Sequence, residues 1–199
     1  TDQIAGTTWS PVAQAQLDTA QAKFGASSAL FPVAGSNYSR IDSNTNAAFA
    51  FGTGDWTIEG WLYLNSSKSG FRTVFDSRPV GVNGAYPTIL VNSTTIVYLT
   101  AGAAKITSGG VISLSGAWQH FAVSRVAGST RMFVGGVQAG STYTDSANYV
   151  NQRFCWGNTS AANSFDNMLG GWLDECRITK GIGRYSANFT PPIAPFPNS

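Results

Sequence analysis

The sequence predicts an all-β fold, two antiparallel sheets packed face to face as a sandwich. Three observations carry that prediction. From Lys23 onward, short runs of alternating apolar and polar residues lie between turn-forming residues, the two-residue period of half-buried strands. No stretch presents a coherent apolar face at helical spacing, which excludes strand–helix–strand architectures. Charged residues make up 11% of the 199 residues, against about 25% in an ordinary soluble domain, while 43% are hydrophobic. The polar remainder is mostly Ser, Thr, Asn and Gly, so the surface is neutral and hydroxyl-bearing. One domain is the natural unit for a sandwich of this length.

The elements follow in order. Residues 1–22 are polar and alanine-rich, with Ile4, Trp9, Val12 and Leu17 as anchors. Residues 14–22 have helical propensity but no apolar face, so an arm or edge segment is expected. The sandwich is expected over 23–185, with strands at 28–32, 38–41, 56–64, 73–76, 87–92, 95–100, 110–114, 118–125, 131–134, 153–157 and 171–179. Ala127-Gly-Ser129 and Gly135-Gly136 are hairpin-turn chemistry. In the run 57–64, Ile58, Gly60, Leu62 and Leu64 share the face expected to meet the core. Thr57, Glu59, Trp61 and Tyr63 share the other. Residues 186–199 form a proline-rich strap that must lie extended, because proline fixes φ and has no N–H.

Composition also bounds function. The net charge is +2 and the basic residues are scattered, so no nucleic-acid footprint is present. No apolar run reaches the eighteen or so residues of a membrane span. The N-terminal residues lack the basic start and apolar core of a signal peptide, which points to synthesis in the cytoplasm or to a leader already removed. Cys155 and Cys176 have no metal spacing. Cys176 shares the parity of Ile178 and points inward, and Cys155 lies between Phe154 and Trp156. Opposite facing favours two free thiols acting as small core residues over a bridge.

Four segments, Lys23–Phe31, Phe51–Tyr63, Trp118–Arg125 with Thr130–Gly136, and Gly171–Pro192, give the chain a family likeness. It resembles a laminin-G-like, concanavalin-A-like jelly-roll lectin domain, of the kind found in bacteriophage virion and tail-fibre proteins. The ending from Arg184-Tyr185 through Asn188-Phe189 to Pro191-Pro192 is the most specific part. Gly135 and Cys176 depart from the family pattern, which often has an acidic or Asn residue and a Val or Leu there. The resemblance implies a two-sheet antiparallel jelly roll whose usual work is non-catalytic binding or virion assembly. The expected setting is a virion surface protein, a capsid decoration or tail-associated adhesin made in the host cytoplasm. Its expected partners are other virion proteins, further copies of itself in an oligomer or larger assembly, and a host cell-surface glycan. A free-standing lectin, calcium-dependent or not, is the second reading, and a glycan hydrolase the third.

The carboxylates argue against hydrolysis, which normally takes two of them about 5–9.5 Å apart. Glu59 and Glu175 are the two glutamates, and no acidic triplet shares a strand. Glu59 is expected to pair structurally with Arg125 on a neighbouring strand. His120, the single histidine, excludes a two-imidazole metal site and reads as structural. Calcium, a hard cation seeking oxygen ligands, is the candidate cofactor, with Asp145 and Asp166 on rim loops and Asp76 behind them. Asp174 is expected to fix a turn or bulge in its strand. For a glycan, the rings of Trp61, Tyr63, Tyr86, Tyr98, Tyr143, Tyr149 and Trp156 and the amides of Asn83, Asn92, Asn158 and Asn163 are the inventory. The long polar loops favour Tyr143, Asp145, Tyr149, Asn158 and Asn163 as the exposed site.

Overall fold

A computed structural model describes residues 4–33, 39–64, 68, 70–159 and 167–197. Fifteen strands appear among them. They are β1 (Trp9–Val12), β2 (Gln16–Asp18), β3 (Ser28–Phe31), β4 (Arg40–Ser43), β5 (Trp56–Leu64), β6 (Phe71–Asp76), β7 (Thr88–Asn92) and β8 (Thr95–Thr100). There follow β9 (Ala103–Gly110), β10 (Trp118–Val126), β11 (Ser129–Val134), β12 (Val137–Gln138), β13 (Tyr143–Thr144), β14 (Cys155–Trp156) and β15 (Gly171–Lys180). One 3-10 turn, Ala47–Phe49, is capped by the Asn46 side chain.

The strands form a seven-stranded sheet, β1-β4-β14-β6-β7-β8-β9, and an eight-stranded sheet, β12-β11-β10-β5-β15-β3-β2 with β13 on β11. All pairings are antiparallel. Three two-residue hairpins, at Ala101-Gly102, Ala127-Gly128 and Gly135-Gly136, hold both central residues at positive φ. That type I′ geometry matches the twist of the strands it joins. The inner faces meet in a shared core. Phe31, Ile58, Leu62, Leu64, Phe121, Val123 and Leu173 come from the eight-stranded sheet, and Phe75, Ile89, Val91, Ile96, Tyr98 and Trp156 from the other. Trp56 anchors the middle, stacked on Phe51 at 5.2 Å and edge-on to Tyr149 at 6.0 Å.

The structure corrects the sequence reading at two strands and adds detail at the N-terminal segment and the cysteines. The expected strand at 110–114 lies earlier, as β9, since its register is set by the Ala101-Gly102 turn and by β8 and not by its own weak alternation. Residues 9–12 pair with β4 and residues 16–18 with β3, so one short segment supplies an edge strand to each sheet. The strand expected at 38–41 runs from Arg40 to Ser43, and Tyr38 lies outside the described residues. Both cysteines are free. Cys155 is buried, whereas Cys176 opens onto a cleft of about 240 Å³ between the sheets, walled by Leu17, Ala29, Phe31, Ile41, Trp156 and Leu173.

Beyond β15 the chain folds back over the outer face of the eight-stranded sheet. Arg184 N–H donates to Thr57 Oγ1, which itself donates to the Ile182 carbonyl. Phe189 N–H donates to the Gly136 carbonyl. Tyr185 and Phe189 stack at 3.6 Å and lie edge-on to Phe133. Gly136 is required where this strap crosses, because a Cβ there would overlap the Phe189 carbonyl.

Candidate functional site

Of the loop residues favoured by the sequence, Asp145, Tyr149 and Asn158 are interior. Asp145 is 1% exposed. Its Oδ2 accepts from Thr130 Oγ1 at 2.8 Å and from the Tyr149 hydroxyl at 2.9 Å, and Oδ1 accepts from Ala147 N–H. The Tyr149 hydroxyl also meets that of Tyr98 at 2.8 Å, and both rings are buried. Burial above all pushes both phenols up from their ordinary range, so they stay protonated as hydrogen-bonding groups. Arg125, expected beside Glu59, goes instead to this cluster. It donates to the Ala147 carbonyl at 2.8 Å and brings its Nε to 4.0 Å from Asp145. The group is a buried polar network that ties the 145–149 loop to β8, β10 and β11.

The remaining candidates are dispersed. Tyr143 is half-buried in β13, with Lys105 Nζ 5.7 Å from its ring. Asn158 is buried, its Oδ1 accepting from Thr159 N–H. Asn163 and Asp166 lie outside the described residues. Asp76 is buried and held by Arg78 and Thr88. Among the described residues no three acids, histidines or cysteines gather as a metal site. Asp174 accepts from the N–H groups of Lys23, Phe24 and Glu175 at the bulge where β15 slips against β5, with Glu175 at φ 49.

Glu59 sits at the centre of the outer face, fully buried under the strap. Register places Arg177 beside it on β15, and Arg177 donates from Nε and Nη2 to Oε1 at 2.9 and 2.8 Å. The Tyr185 hydroxyl donates to Oε2 at 2.7 Å, and His120 Nε2 stands 3.4 Å from the same oxygen. Burial pushes this carboxyl up, but the nearby His120 imidazole, the Tyr185 hydrogen bond and the Arg177 charge outweigh it. The net shift is downward, and Glu59 is an anion at neutral pH. Arg177 takes the place expected for Arg125 because the bulge at Asp174 returns β15 to a register opposite Glu59. Among the described residues no second carboxylate joins this network, and the strap closes it from solvent.

One edge of the same face is open. Register lines up Trp118 of β10, Tyr63 of β5, Trp172 of β15, Leu30 of β3 and Gln16 of β2 as a single cross-sheet row. The outward parity follows from Leu62 and Leu173, which face the core. All three rings are partly exposed. Tyr63 lies 5.5 Å from Trp118 and 5.3 Å from Trp172, the latter edge-on. Trp172 Nε1 donates to Asp18 Oδ2 at 2.7 Å, which fixes that indole. The neighbouring row is covered: Trp61 is edge-on to Phe24 and His120, with Lys23 Nζ 3.9 Å above its ring. Trp118 and Trp172 were missing from the sequence inventory. The available signal was parity: Trp172 adjoins the core residue Leu173, and Trp118 lies three positions, an odd number, from the core residue Phe121.

Comparison with known proteins gives this geometry a lineage. The laminin-G model described as the concanavalin A-like lectin/glucanases superfamily matches residues 34–181. No curated protein matches the sequence. Among solved structures, the binding domain of botulinum neurotoxin serotype D/C superposes with a TM-score of 0.63 at 13% identity, over 87% of this chain and 44% of that one. The same kind of toxin domain in complex with rat synaptotagmin II gives 0.62 at 14% identity, over 87% and 43%. Domain 4 of AbnA, a GH43 extracellular arabinanase from Geobacillus stearothermophilus in complex with arabinotriose, gives 0.62 at 16% identity, over 88% and 82%. The chain spans less than half of the toxin domains, and at these identities the likeness is one of fold. With the family pattern running through most of its length and the two-sheet sandwich beneath it, the chain belongs to the concanavalin A-like lectin/glucanases superfamily as a laminin-G-like domain.

Proposed function

We propose that this chain is a non-catalytic carbohydrate-binding domain, carried on the surface of a bacteriophage particle as a capsid decoration or tail-associated adhesin. The observation that carries the binding reading is the outer face of the eight-stranded sheet. Three partly exposed rings stand side by side on adjacent strands, on the same face as a carboxylate that is tied down and covered. Aromatic faces present apolar area to sugar C–H groups, and their N–H and O–H edges tolerate water. Hydrolysis asks for an acid–base pair flanking the scissile bond, and among the described residues no second carboxylate joins the Glu59 network, which the strap covers. The AbnA domain, solved with arabinotriose, lends the same reading support by fold. The particle setting is supported by the Gly171–Pro192 ending, whose residues Tyr185 and Phe189 build the strap.

The test is a glycan array with and without chelator, run beside a reducing-sugar assay. Saturable binding without turnover supports the proposal. Silence across the array refutes the carbohydrate reading, and turnover lost in a folded Glu59→Gln variant refutes the non-catalytic one. Antibody labelling of phage particles by electron microscopy tests the setting, and unlabelled particles count against it.

A further inference from the structure

We propose that the row Trp118–Tyr63–Trp172 is the floor of a trough that takes the interior of an uncharged polysaccharide chain, laid side-on across the strands. This deepens the carbohydrate reading above and rests on it.

The floor crosses three adjacent strands, so its long axis runs perpendicular to them. It is walled on both long sides. On one stands the covered row of His120, Trp61 and Asp174, roofed by Phe24 and Phe189. On the other runs the loop 111–117, which touches the floor where a Cβ at Gly116 would come within 2.7 Å of the Tyr63 hydroxyl. That loop carries the paired hydroxyls of Ser113 and Ser115, with Ser115 exposed. Among the described residues the short ends have no such walls. β11 pairs with β10 only as far as Phe121, so no strand continues the row beyond Trp118. At the other end the row leaves the sheet through Leu30 and the exposed Gln16 of edge strand β2. A floor with side walls and open ends suits a chain passing through, whereas a terminal sugar needs a closed end to be distinguished.

Charge decides the class of chain. Trp118, Tyr63, Trp172, Leu30 and Gln16 carry no formal charge. The carboxylate touching the floor, Asp18, already accepts from Trp172 Nε1 and from Ala20 N–H, and it disfavours a polyanion. The nearby cation, Lys23, is seated on the Trp61 indole in the covered row. Rings, serine hydroxyls, one amide and one engaged acid suit neutral hydroxyls and C–H faces.

The experiment is affinity electrophoresis of the purified domain through neutral polymers (arabinan, xylan, a mixed β-glucan) and acidic ones (polygalacturonate, hyaluronate). Calorimetry on a ladder of neutral oligosaccharides accompanies it. Retardation by a neutral polymer is expected, with affinity rising along the ladder until the trough is filled. Trp118→Ala and Trp172→Ala should each weaken binding about tenfold or more. Phe71→Ala, which removes an exposed ring from the opposite sheet, should leave it unchanged. Protection of wild-type tryptophans from acrylamide quenching by the bound polymer reads the same contact without any variant. Binding confined to acidic glycans, or affinity that does not rise with length, overturns this inference and leaves the carbohydrate reading standing. Neutral binding with unchanged quenching and unaffected tryptophan variants overturns the location. Absence of binding to every glycan overturns both.

Discussion

Replacing Glu59 by Gln tests the logic of the outer face directly. The carboxylate is fully buried and receives two N–H groups from Arg177 and one O–H from Tyr185, with His120 at 3.4 Å. An amide of the same shape keeps one acceptor oxygen but turns an NH2 toward these donors. Breaking a buried pair from one side costs about 3–5 kcal/mol. Arg177 keeps some contact with water, its side chain being 23% exposed, so the lower end applies, about 3 kcal/mol. For a domain of this size that corresponds to a fall of about 6–12 °C in Tm. The pH dependence follows from the sign of the shift. The folded carboxyl titrates below its unfolded value, so its contribution is fully present above the unfolded pKa and disappears as pH falls through the folded one. Denaturant unfolding of both proteins should show the full gap at pH 7 and a gap that closes as pH falls below the ordinary glutamate range and through the lower folded value, since the wild-type carboxyl then protonates and the amide does not. A gap under about 1 kcal/mol at pH 7, or one of equal size in acid, would refute the charge-centred account.

Three further outcomes are expected. Tyr149→Phe removes the hydroxyl joining Tyr98 to Asp145 and should cost about 1–3 kcal/mol in urea unfolding, with glycan binding unchanged. Gly136→Ala drives a methyl into the Phe189 carbonyl, so limited proteolysis should release fragments ending near residues 184–189 while the far-ultraviolet β signal persists. A thiol reagent should modify one cysteine in the native protein, Cys176, and both after unfolding. Desolvation of the sulfur inside the cleft, with the Asp174 and Glu175 charges, pushes the Cys176 thiol up, so that labelling should quicken with rising pH.

The sandwich was legible because its strands are local facts. The span Trp56–Leu64 alternates over nine residues and Thr95–Thr100 over six, and each was bounded by turn chemistry. The N-terminal segment was harder to read, because Trp9–Val12 and Gln16–Asp18 are strands only through partners at Arg40–Ser43 and Ser28–Leu30. The site was hardest. Polar loop residues such as Asp145 looked exposed, yet Thr130 and Tyr149, distant in pattern, fold over it. The aromatic floor needs the relative register of three strands, and residues 63, 118 and 172 share no local signal that aligns them. Arg177 reaches Glu59 through a bulge whose single extra residue no alternation count anticipates.

The position of β15 has a consequence for biosynthesis. The central strand β5 needs β10 on one flank and β15 on the other, and β15 lies far downstream, at Gly171–Lys180. Until the ribosome has delivered that last strand, one flank of Trp56–Leu64 offers unpaired N–H and C=O groups along an apolar segment, the template for intermolecular pairing. A chain lacking everything from about residue 170 onward should therefore be a sticky, incompletely zipped product, and the long-range pairing of β5 with β15 should make folding slow.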